Sequence, residues 1–283
     1  MRLRSLLFVP GDRPERFAKA AASGADAIIL DLEDSVAISA KAAAREAVTQ
    51  YLAEPADVIR FVRVNPLGSG DLDADLAAAR GADGVMLPKA EGATDIAALV
   101  ARMGDTVVPI LPVATETPRA VFALGGYDAV AEQLAGLTWG AEDLPAAIGA
   151  SAARESDGRY TPPYEVVRTL VLMGAHAAGV AAIETVYPAI RDTDGLAAYA
   201  ARGARDGFTG MMAIHPTQVA AINAAFTPGE AALADARAVV AAFAAAPGAG
   251  ALQLDGRMID APHLKQARAL LARAGEGQDA KGM

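Results

Sequence analysis

Apolar runs recur along this chain, and most of them stop abruptly at a polar or charged residue. Residues 6–9 close at Pro10-Gly11, and residues 27–30 at Asp31, Glu33 and Asp34. Residues 58–64 close at Asn65-Pro66, residues 84–88 at Lys89, and residues 107–114 at Thr115-Glu116. Residues 136–140 precede Glu142-Asp143, residues 181–186 carry Glu184, and residues 208–214 precede His215-Pro216. Short apolar runs bounded by polar residues predict buried strands. The intervening segments are helical in pattern: 14–23 with Asp12 as a candidate N-cap, then 37–52, 71–80, 93–103, 119–124, a short 127–134, 164–178 and 194–204. Residues 151–162 read as a polar loop.

Eight alternations of strand and helix imply a parallel sheet with helical crossovers. At this count and length the predicted fold is α/β, a (β/α)8 TIM barrel. An open doubly wound sheet is the competing architecture, but it would carry a Gly-rich phosphate turn after its first strand, which Gly11-Asp-Arg-Pro14 is not. Residues 1–226 are therefore assigned to the barrel. Residues 227–275 fall outside the repeat. They read as a C-terminal helical extension: a helix over 229–245, a Pro-Gly turn, an extended piece over 252–259 and a helix over 262–274. This segment is expected to cover the barrel mouth or to swap onto a neighbour. Residues 276–283 are expected to be a disordered tail.

Composition narrows the picture. The 283 residues are 53% hydrophobic, which supports a large core, and alanine runs favour the helices. Mean hydropathy is +0.25, yet no apolar stretch is long enough for a spanning helix or a signal core. A net charge of −9 argues against a general nucleic-acid or anionic-membrane binder. The absence of cysteine removes disulfides, thiolate chemistry and thiolate metal sites. The expectation is a soluble, cytoplasmic protein.

A barrel of this kind places its chemistry at the C-terminal ends of its strands. Gathered there are Asp31, Glu33, Asp34, Arg63, Asn65, Lys89, Glu116, Glu142, Asp143, Glu184 and His215. Carboxylates crowded on one rim repel each other unless a cation intervenes. Oxygen donors without cysteine or paired histidine favour Mg²⁺, or Mn²⁺, over Zn²⁺. Glu116 and Asp143 are the candidate direct ligands, with Asp31, Glu33 and Asp34 orienting bound water. The alternative is that these acids only cap helices and form salt bridges. Arg63 either binds an anionic oxygen or pairs structurally with Asp31 or Glu33. Lys89 is either a Schiff-base lysine or a charged balance to its acidic neighbours. His215 would orient a loop or a ligand, and His176 reads as a packed helix residue. Arg2, Arg4, Arg13, Arg16, Lys19, Lys41 and Arg45 form an early basic cluster, either a footprint for a phosphate-bearing ligand or ordinary solvated helix faces.

Several motifs stand in register along the whole chain: Arg4-Ser-Leu-Leu-Phe-Val-Pro-Gly11, Asp31-Leu-Glu-Asp-Ser35, Arg63-Val-Asn65, Leu87-Pro-Lys89, Glu116-Thr117, Gly140-Ala-Glu-Asp-Leu144, Ile214-His-Pro-Thr-Gln218 and Met258-Ile-Asp-Ala-Pro262. Together they resemble the citrate lyase beta-subunit-like proteins of the HpcH/HpaI aldolase superfamily, including malyl-CoA, β-methylmalyl-CoA and citramalyl-CoA lyases. The resemblance implies a Mg²⁺-dependent carbon–carbon lyase acting on a 3-hydroxy-dicarboxyl CoA thioester, which yields a 2-oxo acid and an acyl-CoA. It implies Glu116 and Asp143 as metal ligands, and Arg63, Asn65, Glu116 and Lys19 as substrate contacts. Asp260 would be the acid/base, supplied to the active site of an adjacent subunit in a homotrimer or homohexamer. A malyl-CoA thioesterase, a citrate lyase subunit working on a carrier-bound citryl thioester, and a non-catalytic binding protein are the alternatives. Met211 stands where the family often has lysine.

Overall fold

The computed structural model describes residues 1–276 and divides them into two compact units, the first Met1–Ala224. In that unit eight parallel strands alternate with helices. The strands are β1 (Ser5–Pro10), β2 (Ala27–Asp31), β3 (Ile59–Arg63), β4 (Gly84–Leu87), β5 (Ile110–Pro112), β6 (Gly136–Thr138), β7 (Ala181–Glu184) and β8 (Gly210–Ala213). They pair in the order β5-β4-β3-β2-β1-β8-β7-β6. Single bridges at Ile110–Leu134 and Val113–Thr138 join the two ends and complete the ring. The predicted barrel is therefore the observed architecture.

The crossover helices are α1 (Phe17–Ala21), α2 (Lys41–Leu52), α3 (Leu72–Ala78), α4 (Ala93–Met103), α5 (Pro118–Ala123), α6 (Asp143–Ile148), α7 (Pro162–Ala178), α8 (Thr193–Asp206) and α9 (Val219–Ala225). Because side chains alternate along a strand, every second residue points inward. Leu6, Ala27, Ile29, Phe61, Met86, Leu111, Val113, Ile183 and Met212 fill the interior as one cluster. The intervening residues, such as Ile28 and Leu30, are equally buried because helices cover the outer face. Gly84 has a steric reason: a Cβ there would lie 2.3 Å from the Phe61 ring.

Several elements differ from expectation. Asp12 is not an N-cap; the first helical turn begins as a 3-10 helix at Pro14 with no side-chain cap. β5 is shorter than the run 107–114, since Val107 is exposed at the strand's entry. The six-residue α6, opening at Asp143, was too short for its periodicity to register.

The second unit contains α10 (Glu230–Ala245), strands β9 (Ala251–Leu254) and β10 (Arg257–Asp260), and α11 (Ala261–Arg273). Ala236, Val239, Ile259 and Ala267 form its core. The extended piece expected over 252–259 is a β-hairpin instead. Asp255 and Gly256 take φ of 47° and 76°, the left-handed pair that a two-residue hairpin turn needs. Glu276 accepts hydrogen bonds from Arg237 at 2.8 and 2.6 Å, and residues 277–283, the rest of the expected tail, lie outside those described. Among the described residues no helix is long and apolar enough to cross a membrane.

Candidate active site

The C-terminal mouth of the barrel opens into a cavity of about 390 Å³. Its polar wall includes Asp31, Asp34, Arg63, Glu116, Glu142 and Asp143. Its apolar wall includes Phe8, Met86, Val113, Val186, Met212 and Ile214.

The wall starts from strand register. Asp31 and Arg63 are the last residues of β2 and β3 and stand directly opposite each other. Both share the inward parity of Ile29 and Phe61. The guanidinium therefore meets the carboxylate side-on, with Nε donating to Oδ1 at 2.7 Å and Nη2 to Oδ2 at 2.6 Å. Its Nη1 lies 3.0 Å from Glu33 Oε2, and its face lies over the Phe8 ring. Burial alone would push Asp31 up, but the hydrogen bonds and charge of Arg63 outweigh it and hold the carboxyl below the usual range. Arg63 thus has the structural partner considered for it, and it also lines the cavity.

Glu116 is buried, and its Oε2 accepts a hydrogen bond from the Lys89 backbone N–H. Burial, opposed by that bond and then reinforced by repulsion from Asp143 and Glu33, pushes its carboxyl up to about 8. Glu33 is raised too, with burial outweighing the nearby Arg63 and Lys89. Its buried Oε2 meets Arg63 Nη1 as an ion pair at 3.0 Å, without hydrogen-bond geometry. Lys89 Nζ lies 2.7 Å from Glu33 Oε1, and 3.8 Å from both Asp34 Oδ2 and Asp143 Oδ1. Burial would lower Lys89, but Glu33 outweighs it and keeps the ammonium charged, so the charge-balancing reading fits better than a Schiff-base amine. Gly140 crosses close to Glu116: a Cβ there would lie 3.0 Å from Glu116 Cγ and 3.1 Å from Val113 Cγ1.

Other residues from the predicted rim stand elsewhere. Asn65 is not presented to the cavity: its Nδ2 donates to Leu32 O and Asp75 Oδ2, and its Oδ1 accepts from Lys41 Nζ. Its amide is consumed in bracing the loop after β2. Glu184 has the outward parity, opposite to Ile183, and is buried against Arg168, Trp139 and Tyr199 at 2.6–3.0 Å. It is no part of the rim. His215 is exposed and caps the turn after β8 through Thr217. Met211 is fully buried and does not line the cavity, so its departure from the family leaves the polar wall intact.

The basic cluster also divides. Arg4 is tied to Asp26, Lys41 to the carbonyls of Leu32 and Glu33, and Arg45 to Asp71 and Asp75. Arg13, Arg16 and Lys19 remain exposed, and Lys19 is not in the cavity wall. Asp260 lies in the second unit, at the N-cap of α11, with Oδ1 2.6 Å from His263 Nδ1. The apolar wall was missed in the sequence, although inward strand parity carried Phe8, Met86 and Met212.

The model of the HpcH/HpaI aldolase/citrate lyase family matches residues 4–216. The chain belongs to that family. A citrate lyase subunit beta-like protein of Mycobacterium tuberculosis is 41% identical over 272 residues, covering 95% of each chain. A (3S)-malyl-CoA thioesterase of Cereibacter sphaeroides is 35% identical over 282 residues, covering 96% of this chain and 94% of that one. Among solved structures, protein CitE of M. tuberculosis, in complex with magnesium, acetoacetate and coenzyme A, superposes with a TM-score of 0.82 at 39% identity. That match covers 97% of this chain and 99% of that one. The family is one of enzymes, and its barrel is the fold described above.

Proposed function

We propose that this family member is a Mg²⁺-dependent carbon–carbon lyase that cleaves a 3-hydroxy-dicarboxyl CoA thioester of the malyl, β-methylmalyl or citramalyl type. The products are a 2-oxo acid and an acyl-CoA. The observation that carries the reading is one cavity wall in which Arg63, clamped by Asp31, stands with the buried Glu116 and with Asp143.

The residues fit a hard dication. No ready cage of three or more His, Cys, Asp or Glu side chains exists among the described residues. Mg²⁺ needs none, since it takes one or two carboxylates and keeps water or a chelating substrate for its other positions. Burial and neighbouring acids push the Glu116 carboxyl up to about 8, and a cation beside it would favour its negative form. Glu116 and Asp143 would hold the ion, with Asp31, Glu33 and Asp34 fixing its waters. When bound, the ion would polarise the substrate oxygen that becomes a carbonyl and lower the hydroxyl pKa.

The chain's own groups account for the rest. Asp31 uses two of the five guanidinium N–H groups, and this fixes the plane of Arg63 before substrate arrives. Its remaining donors stabilise negative charge on the substrate's oxygens. The hydroxyl proton passes to solvent water, the O–H electron pair becomes the new C=O bond of the 2-oxo acid, and the broken C–C bond leaves its electron pair on the acyl-CoA as the enolate. Asp260 of a second copy protonates that carbon; in the reverse direction it removes the same proton. The exposed Arg13, Arg16 and Lys19 suit the phosphates of CoA. The apolar wall of Phe8, Met86, Val113 and Met212 excludes water from the breaking bond.

A thioesterase reading is supported by the 35% identical malyl-CoA thioesterase relative. A product assay with malyl-, β-methylmalyl-, citramalyl- and citryl-CoA and Mg²⁺ separates the two. The expected products are a 2-oxo acid with acetyl- or propionyl-CoA. Free CoA with the intact hydroxy acid would replace the lyase by the thioesterase. Activity only on a carrier-bound citryl thioester would assign a citrate lyase subunit.

A further inference from the structure

Lys89 is built into the site in two ways. Its backbone has φ of 53°, in the left-handed region that a side-chain-bearing residue enters only at a cost. That conformation points its N–H at Glu116 while its ammonium returns over the acids, 2.7 Å from Glu33 and 3.8 Å from both Asp34 and Asp143. The side chain is 35% exposed, so the ammonium has a route to solvent. Arg63 is the other cation on this cluster, but Asp31 holds it in place; Lys89 has no clamp of that kind.

We propose that Lys89 is the resident counter-ion of the acid cluster and that it competes with the divalent cation. The ammonium holds the carboxylates together while the site is metal-free, and it draws on Asp143, a carboxylate the ion also requires. Lys89 is thus a positioning residue that sets metal affinity, and metal entry displaces its ammonium toward solvent. This rests on the metal reading of Glu116 and Asp143 above.

The test uses full-length Lys89→Met and Lys89→Arg proteins, with Mg²⁺ alone as the probe. Methionine keeps the N–H to Glu116 and a similar length, and removes the ammonium together with its hydrogen bond to Glu33. By titration calorimetry, Lys89→Met should bind Mg²⁺ about tenfold tighter than wild type, because a positive charge a few ångströms from the ion is gone. Lys89→Arg should stay close to wild type. In EDTA, Lys89→Met should melt below wild type, and saturating Mg²⁺ should close the gap. Unchanged or weaker Mg²⁺ binding by Lys89→Met overturns the competition. An unchanged melting temperature in EDTA overturns the counter-ion role. If wild type binds no Mg²⁺, the metal reading and the competition fall together, while the EDTA comparison still decides whether Lys89 holds the cluster.

Discussion

Replacing Arg63 by methionine asks whether the polar wall stands on that guanidinium. Arg63 gives Asp31 two hydrogen bonds, at 2.7 and 2.6 Å, and stands 3.0 Å from Glu33. The two acidic side chains are only 2% and 3% exposed. Methionine spans a similar length but leaves Asp31 without its counter-charge and Glu33 with Lys89 alone, at 2.7 Å. Breaking a buried ion pair from one side costs about 3–5 kcal/mol, because the surviving charge stays desolvated. For a unit of this size each kcal/mol moves Tm by roughly 2–4 °C, so the fall should be roughly 6–20 °C. Trp139 is the chain's single tryptophan and lies buried in the barrel unit, so its fluorescence follows this unit alone during unfolding in EDTA. Removing the acid as well should restore much of the loss. Arg63→Met with Asp31→Asn should show a favourable coupling of about 1–3 kcal/mol in a double-mutant cycle. Turnover should fall about 10²–10³-fold in Arg63→Met, as for loss of a donor to developing negative charge. Lysine should not rescue it, because a point charge lacks the fork that grips Asp31. A loss below about 1 kcal/mol, or a double variant whose cost is the sum of the singles, would refute the account.

Three further outcomes follow from the same geometry. Glu116→Gln should abolish Mg²⁺ binding in calorimetry yet raise metal-free stability by roughly 0.5–2 kcal/mol, since it neutralises a repelled buried acid. The sign follows from a folded pKa near 8, above the unfolded value: that contribution is fully present below the unfolded pKa and is lost as pH rises through the folded one. The stability gap between Glu116→Gln and wild type in EDTA should therefore widen from about pH 4.5 to 8. Asp260→Ala should lower kcat about 10²–10⁴-fold with Mg²⁺ affinity unchanged, and wild-type turnover in that variant would remove Asp260 from the chemistry. Gly140→Ala places a methyl group 3.0 Å from Glu116 Cγ and should cost about 1–3 kcal/mol while weakening Mg²⁺ binding. Unaltered Mg²⁺ affinity there would show that Glu116 does not depend on Gly140 for its position.

Much of the barrel was legible because its signals are local. Eight apolar runs at near-even spacing, each followed by a helical segment, imply the closed parallel sheet without any knowledge of contacts. Within a strand the alternation of side chains is equally local. Ala27, Ile29 and Asp31 share a face, as do Ile59, Phe61 and Arg63, so the Asp31–Arg63 pair was available from parity once the two strands were neighbours. The same rule would have removed Glu184 from the rim, since it follows the inward Ile183 and must face the helices. The Asp255-Gly256 hairpin was signalled by its dipeptide and still read as one extended piece.

The sequence by itself determined the order of the elements, the inward face of each strand and the excess of acid at one end of the barrel. Parity ends where the strand ends, and most of the site lies just beyond that point. Asn65 sits past the end of β3, where the chain turns and spends its amide on Leu32, Asp75 and Lys41. Lys89 enters the left-handed region and folds back over Glu33, while Glu116 takes its bond from Lys89 rather than from any residue near it in sequence. These positions depend on which loop lies against which across the mouth of the ring. A hydrogen bond is decided by a few tenths of an ångström and by the direction of its donor, and only the closed tertiary structure sets either.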